Sequence, residues 1–185
     1  MNRRRFFAAT GGWLVMAPAA ARAQSGAFTD ADDAARALFP EAGEMSKRAV
    51  ATSAALQGQI ARELGKPPSL WEERYPIYVL VRGGQRLGWV VVVEEIGKHR
   101  PITFAVGVDP DGTVRDLSVL AYREAYGGEI RDRRFLRQYA GKGLADPLLP
   151  YRDIKNISGA TLSVGATGRA ARKAIAVLRA VGELR

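Results

Sequence analysis

The sequence predicts an α+β domain, in which an antiparallel sheet of about four or more strands packs with helices from the N- and C-terminal parts of the chain. Three observations carry this reading. Segments with helical spacing come first and last, and a run of Val-, Ile- and aromatic-rich segments lies between them from Tyr75 to Tyr122. The connections inside that run are short and glycine-containing, which suits hairpins and an antiparallel meander rather than a parallel sheet. Helices at both ends of one strand run are the order expected for helices laid on one face of such a sheet.

Taken in order, Gln24 to Ala27 reads as a linker. Asp30 to Leu38 reads as a short helix with acids at its front, apolar Ala34, Ala35 and Leu38, and a stop at Pro40. Thr52 to Leu64 is the next helix, because Leu56, Ile60 and Leu64 recur every four residues and form one stripe. Four strands follow, at Tyr75 to Arg82, Leu87 to Ile96, Pro101 to Asp109 and Thr113 to Tyr122. The second holds the continuously apolar Val90 to Val93, as a central strand does. Arg123 to Ile130 is a glycine-containing loop, Asp132 to Tyr139 a short helix, and the stretch with Pro147 and Pro150 a polar loop. The last helix runs from about Leu162 to Leu184, with Val164, Ala171, Ile175 and Leu178 on its inner stripe and Arg169, Arg172, Lys173 and Arg179 mostly outside it.

At 185 residues the chain has room for one core of ordinary size. Its 47% hydrophobic and 25% charged residues exclude both a disordered chain and a membrane bundle. The first 23 residues stand apart: Arg3, Arg4 and Arg5 precede Phe6-Phe7, a mild apolar stretch and Ala21-Arg22-Ala23. This is the pattern of a cleaved signal peptide, with cleavage expected after Ala23 and a periplasmic destination. The paired arginines followed by bulky apolar residues favour twin-arginine export over the general secretory route. Twin-arginine export implies folding before translocation. The chain then divides into a signal peptide over 1–23, an N-terminal helical segment over 24–74 and a main domain over 75–185.

The chain has no cysteine, which excludes disulfides, thiolate metal sites and catalytic thiols. With His99 as the only histidine, a transition-metal or haem site built by this chain alone is not expected. The net charge is +9, and the four arginines of residues 1–23 leave +5 for the remainder. An exported basic domain rarely meets nucleic acid, so acidic proteins or phosphate groups are the expected partners.

The richest stretch for chemistry is Asp153 to Ser163, where a small-residue loop presents hydroxyls just ahead of the last helix. Two readings stand side by side. The helix N-terminus is an anion site kept open by Gly159 and Ala160, or Ser158 or Thr161 is simply the helix N-cap. In the earlier loop, Gly127 and Gly128 permit backbone approach to a flat ligand and Tyr126 offers a ring to stack on it, against the plainer reading of an ordinary turn. His99 falls in the hairpin Gly97 to Arg100 and reads as an exposed turn residue. Arg131, Arg133, Arg134 and Arg137 form a basic cluster suited to weak, steered docking.

The run Ser158-Gly159-Ala160-Thr161-Leu162-Ser163 closely resembles the flavinylation motif of the FMN-binding domain family, which includes the C subunit of the sodium-translocating NADH:quinone reductase and the G subunit of the Rnf complex. The segments Ile96 to Val106, Tyr122 to Ile130 and Asp146-Pro147 also look like small stand-alone members, so the resemblance covers roughly Tyr75 to Leu184. It implies that a flavin transferase moves FMN from FAD onto Thr161 as a phosphoester. Ser158, Gly159, Ala160, Leu162, Ser163, Glu124, Tyr126, Gly127 and Gly128 are then the residues expected around the cofactor. The subunit members usually carry Glu-Thr-Pro-Gly-Leu-Gly where this chain has Glu124-Ala125-Tyr126-Gly127-Gly128-Glu129. The glutamate and first glycine are kept, and the changed middle argues against membership of either large complex.

No acid–base pair or nucleophile triad accompanies these residues. The resemblance therefore implies an electron carrier rather than a complete oxidoreductase, with redox proteins, a membrane quinone or a cytochrome system as partners. A flavin-dependent reductase acting on a small substrate and a non-redox binding module of the same fold are the alternatives.

Overall fold

The computed structural model describes residues 30–184. The signal-peptide reading, with its twin-arginine motif and cleavage after Ala23, lies outside them.

The described chain is an α+β domain built on one five-stranded antiparallel sheet. Helix α1 (Ala31–Leu38) is followed by β1 (Glu44–Ala51), α2 (Ala54–Leu64), β2 (Arg74–Arg82), β3 (Gln85–Ile96), β4 (Pro101–Val108) and β5 (Val114–Ala121). Two 3-10 turns, Gly128–Arg131 and Arg137–Tyr139, flank the short α3 (Arg133–Leu136), and α4 (Thr161–Ala180) follows. The strands pair in chain order, β1 to β5. Asp30 starts α1 by accepting the Asp32 N–H at 2.7 Å. Ser53 starts α2 by accepting the Leu56 N–H at 3.2 Å, and Gly65 ends it in the left-handed conformation.

The structure differs from the sequence reading in two respects. Segment 24–74, read as helical, also contributes β1. That strand lies at the sheet edge with only Met45 and Val50 partly covered, and its Lys47 and Arg48 leave no alternation of apolar and polar residues to detect. The helices also cover both faces of the sheet instead of one. Successive strand residues point to opposite faces. Ile77, Val91, Phe104 and Val106 pack with α2 and α4, whereas Tyr78, Leu80, Val90 and Ala105 pack with Ala34, Ala35, Leu38 and Phe39 of the α1 region. Gly88 makes the second layer possible, because a Cβ there would lie 2.7 Å from Phe39 Cζ and would also strike the Val108 carbonyl.

Helix α4 is the central prop of the larger core, with Val164, Ala171, Ala174, Ile175 and Leu178 fully buried. It also buries Lys173. The ammonium donates to the Leu70 carbonyl at 2.6 Å and the Glu94 carbonyl at 2.7 Å, and pairs with Glu72 at 3.0 Å and Glu95 at 3.5 Å. Arg169, one turn earlier, holds the other oxygen of Glu95 at 3.1 Å and the Ile96 carbonyl at 2.6 Å. These bonds fix the middle of the helix along β3.

Candidate functional site

The loop after β5 and the loop before α4 are far apart in sequence and meet at one end of the sheet. The contact is made by Tyr122 and Ser163. Tyr122 donates its phenolic proton to the Tyr126 carbonyl, and its oxygen lies 2.9 Å from Ser163 Oγ. A phenol has one proton, so Ser163 is the donor to Tyr122. Burial pushes the Tyr122 phenol above its usual range, which keeps it protonated for this role.

Between them sits Gly127, buried and left-handed at φ +89°. A Cβ at this position would stand 2.7 Å from the Tyr122 hydroxyl and 3.1 Å from both the Ala160 methyl and Ser163 Oγ. Only glycine fits. Arg131 closes the loop by donating to the Gly128 carbonyl at 3.1 Å and lies over the Tyr122 ring, 5.7 Å from its centroid. Glu124 secures the other side, accepting the N–H groups of His99 at 2.5 Å and Arg100 at 2.9 Å. Those N–H groups hold its carboxyl below the usual range.

The result is an open cleft of about 580 Å³ lined by Tyr122 and the Glu124 to Glu129 loop, by Arg131, and by Ser158 and Gly159. That size suits a cofactor or small ligand. The 3-10 turn at Gly128–Arg131 occupies part of what the sequence reads as a plain loop, and it aims the Arg131 side chain back across the cleft.

At the start of α4 the N-cap position is Ala160, and no side chain caps the helix. Neither Ser158 nor Thr161 plays the capping role that sequence reasoning left open. Thr161 is the first helical residue, and its Oγ1 accepts a hydrogen bond from Asn156 Nδ2 at 2.8 Å. The same amide donates to the Tyr151 hydroxyl at 2.7 Å, while its Oδ1 is buried without a partner. Tyr151 is 76% exposed and is held at φ +64°, which is uncommon for a bulky residue. Leu148 is also left-handed at φ +51°, and Asp153 ties this loop by accepting the N–H groups of Leu148 at 3.1 Å and Leu149 at 2.9 Å.

Large apolar side chains rarely stand in solvent without reason when they cluster. Among the described residues Tyr126, Leu149, Tyr151 and Leu162 do so. Tyr126 belongs to the cleft loop, Leu162 follows Thr161, and Tyr151 reaches Thr161 through Asn156. The arrangement therefore combines an uncapped helix N-terminus suited to a phosphate, a hydroxyl held in place, and flat apolar surface beside both.

The structure brings together Glu124, Tyr126, Gly127, Gly128, Ser158 and Gly159 along the cleft. Ala160 and Ser163 are buried behind it, packing against Gly127, and Leu162 is exposed beside Thr161. His99 is an exposed turn residue, and its backbone, not its imidazole, makes the contact to Glu124. Sequence reasoning missed Tyr122, Tyr151 and Asn156. Asn156 stood inside the motif stretch, five residues before Thr161, but nothing in the sequence reveals that its amide turns back onto the threonine.

Residues 97–176 match the profile of the FMN-binding domain. No curated protein matches the chain. Among solved structures, the crystal structure of Shewanella oneidensis NqrC is similar at a TM-score of 0.54 and 16% identity, over 78% of this chain and 84% of that one. At that identity the likeness is one of fold. Residues 97–176 of the chain are therefore similar to the FMN-binding domain, on a fold shared with that structure.

Proposed function

We propose that this protein is a periplasmic electron carrier that holds FMN covalently through a phosphoester on Thr161. The observation that carries the reading is the Thr161 hydroxyl, which Asn156 orients at the uncapped end of α4, next to a cleft lined by the glycine loops at Gly127-Gly128 and Gly159. In the attachment step the Thr161 oxygen would bond to the FMN phosphorus of FAD while its proton passes to a base of the flavin transferase, the pyrophosphate bond breaks, and AMP leaves.

Bound FMN supplies one- and two-electron chemistry. The chain's own residues do the rest. With FMN attached, the helix N-terminus of α4 would favour the remaining phosphate charge. Tyr126 and Leu162 would offer the ring apolar surface, and Arg131 places a cation at the cleft wall. Tyr122 and Ser163 hold the two loops at a fixed separation. A covalent bond suits an exported protein, because a flavin lost by dissociation outside the cytoplasm is not replaced from the cytosolic pool. The openness of the cleft to solvent favours a carrier over an enzyme that turns over its own substrate.

The test is coexpression with a flavin transferase, followed by denaturing electrophoresis under ultraviolet light. Fluorescence that survives denaturation in the wild type and disappears in Thr161→Ala supports the assignment. An equal signal in the variant overturns it. Fractionation of the same cells places the flavinylated band in the periplasm, and a band confined to the cytoplasm removes that part of the reading.

A further inference from the structure

We propose that the rim of this cleft is a docking surface for an acidic protein, formed where a belt of unpaired cations surrounds the exposed Tyr126, Tyr151 and Leu162. The purpose assigned to the surface rests on the flavin reading, whereas its charge and shape do not.

The belt can be followed through the contacts of the fold. Lys98 and Arg100 stand on the hairpin that Glu124 binds through its backbone, so they border the cleft on one side. Arg131 lines the cleft itself, and Arg134 and Arg137 continue from it along α3 and the next 3-10 turn. Gln138 then accepts the Lys155 N–H at 2.8 Å, which joins this turn to the loop before Thr161. Arg152 completes the circuit beside Tyr151, whose hydroxyl is tied to Asn156 and through it to Thr161.

All seven of these side chains are exposed, and among the described residues none forms an ion pair. Their neighbours behave differently: Arg123 pairs with Glu94 and Arg133 with Asp116. Cations that serve only to solvate a surface are usually interspersed with acids that pair with them. Here the seven cations have no such partner among the described residues, and their charge lies around the cleft.

An apolar centre with tyrosines, enclosed by an arginine-rich rim, is the anatomy of a protein interface. Five of the seven cations are arginine, whose planar fork matches carboxylates in pairs. A membrane of anionic lipid is the competing occupant. It fits less well because Glu129 and Asp132 are also exposed on this rim. An anionic bilayer repels both, whereas a protein surface can set a cation opposite each.

The experiment uses the full chain, isotopically labelled for NMR, in flavinylated form and as Thr161→Ala. It is titrated with poly-L-glutamate and, separately, with phosphatidylglycerol vesicles. Poly-L-glutamate is expected to shift resonances of the belt and the exposed tyrosines, with affinity falling about tenfold or more as salt is raised from about 20 mM to about 200 mM. Arg134→Glu/Arg137→Glu is expected to weaken binding about tenfold while leaving flavin content unchanged. Retained binding in Thr161→Ala keeps the docking surface even if the flavin assignment fails. Shifts spread evenly over the protein, no binding at low salt, or an unaffected double variant overturn the proposal. Tighter engagement of vesicles than of poly-L-glutamate through Tyr126, Tyr151 and Leu162 also overturns it, in favour of a membrane.

Discussion

Asn156 and Thr161 are joined by a single hydrogen bond of 2.8 Å in which the amide donates to the threonine hydroxyl. Because Oγ1 is the acceptor, its own proton remains free for a base supplied by the transferase. The amide is itself fixed by its second bond, to Tyr151. Asn156→Ala is therefore expected to slow flavin attachment about tenfold, the size of one neutral hydrogen bond. The thermal midpoint should change little. A time course of in-gel fluorescence with purified transferase and FAD measures this. Unchanged kinetics would show that the hydroxyl needs no orientation.

Gly127→Ala tests the seam between the two loops. The new methyl meets Tyr122, Ala160 and Ser163 on a backbone at φ +89°. Strain of this kind costs on the order of 1–3 kcal/mol, and the loop can relieve it by breaking the Tyr122–Ser163 bond. Lower stability in urea unfolding and weaker flavin retention are expected together. Tyr122→Phe should share the second effect in milder form, since it keeps the ring and loses only the hydroxyl bonds.

Much of this was legible in the sequence wherever a local pattern carried the information. Strands β2 to β5 are legible because Val, Ile and aromatic residues run between glycine turns, and their observed bounds fall within about two residues of the expected ones. The motif before α4 was legible for the same reason. What escaped depends on contacts between distant parts of the chain. β1 has no stripe because little packs on its faces, where only Met45 and Val50 are partly covered. Lys173 reads as a surface residue of a basic helix face, yet Glu72 and Glu95 from other elements bury it. The Tyr122 to Ser163 contact spans two loops whose meeting no periodicity announces.

The turn at His99 and Arg100 should respond to pH through Glu124. Its carboxyl is held below the ordinary range by the two backbone N–H groups it accepts. A lowered folded-state pKa means that the contribution is present above the unfolded carboxylate value and is lost as pH falls through the folded one. The amide resonances of His99 and Arg100 should therefore stay in their hydrogen-bonded positions through mildly acidic pH and move only below the ordinary glutamate range. In Glu124→Gln that transition should vanish. A transition at the ordinary glutamate value would show that the carboxylate does not hold the turn.

Lys173 makes the most demanding prediction about stability, because removing one member of a buried charge cluster leaves the others uncompensated. Lys173→Met fills similar space but deprives Glu72 and Glu95 of their shared cation and leaves the Leu70 and Glu94 carbonyls without a donor. A loss of about 3–5 kcal/mol is expected in urea unfolding. Lys173→Met/Glu72→Gln should recover part of it, since one orphaned carboxylate is then neutral, while Arg169 still holds Glu95 at 3.1 Å. Lys173 lies twelve residues beyond Thr161, or about 18 Å along the helix. The folded fraction should consequently still accept flavin at the wild-type rate. A variant that unfolds readily yet is flavinylated normally when folded separates the prop from the site; slowed attachment at full folding would mean that the buried cluster also sets the position of the α4 N-terminus.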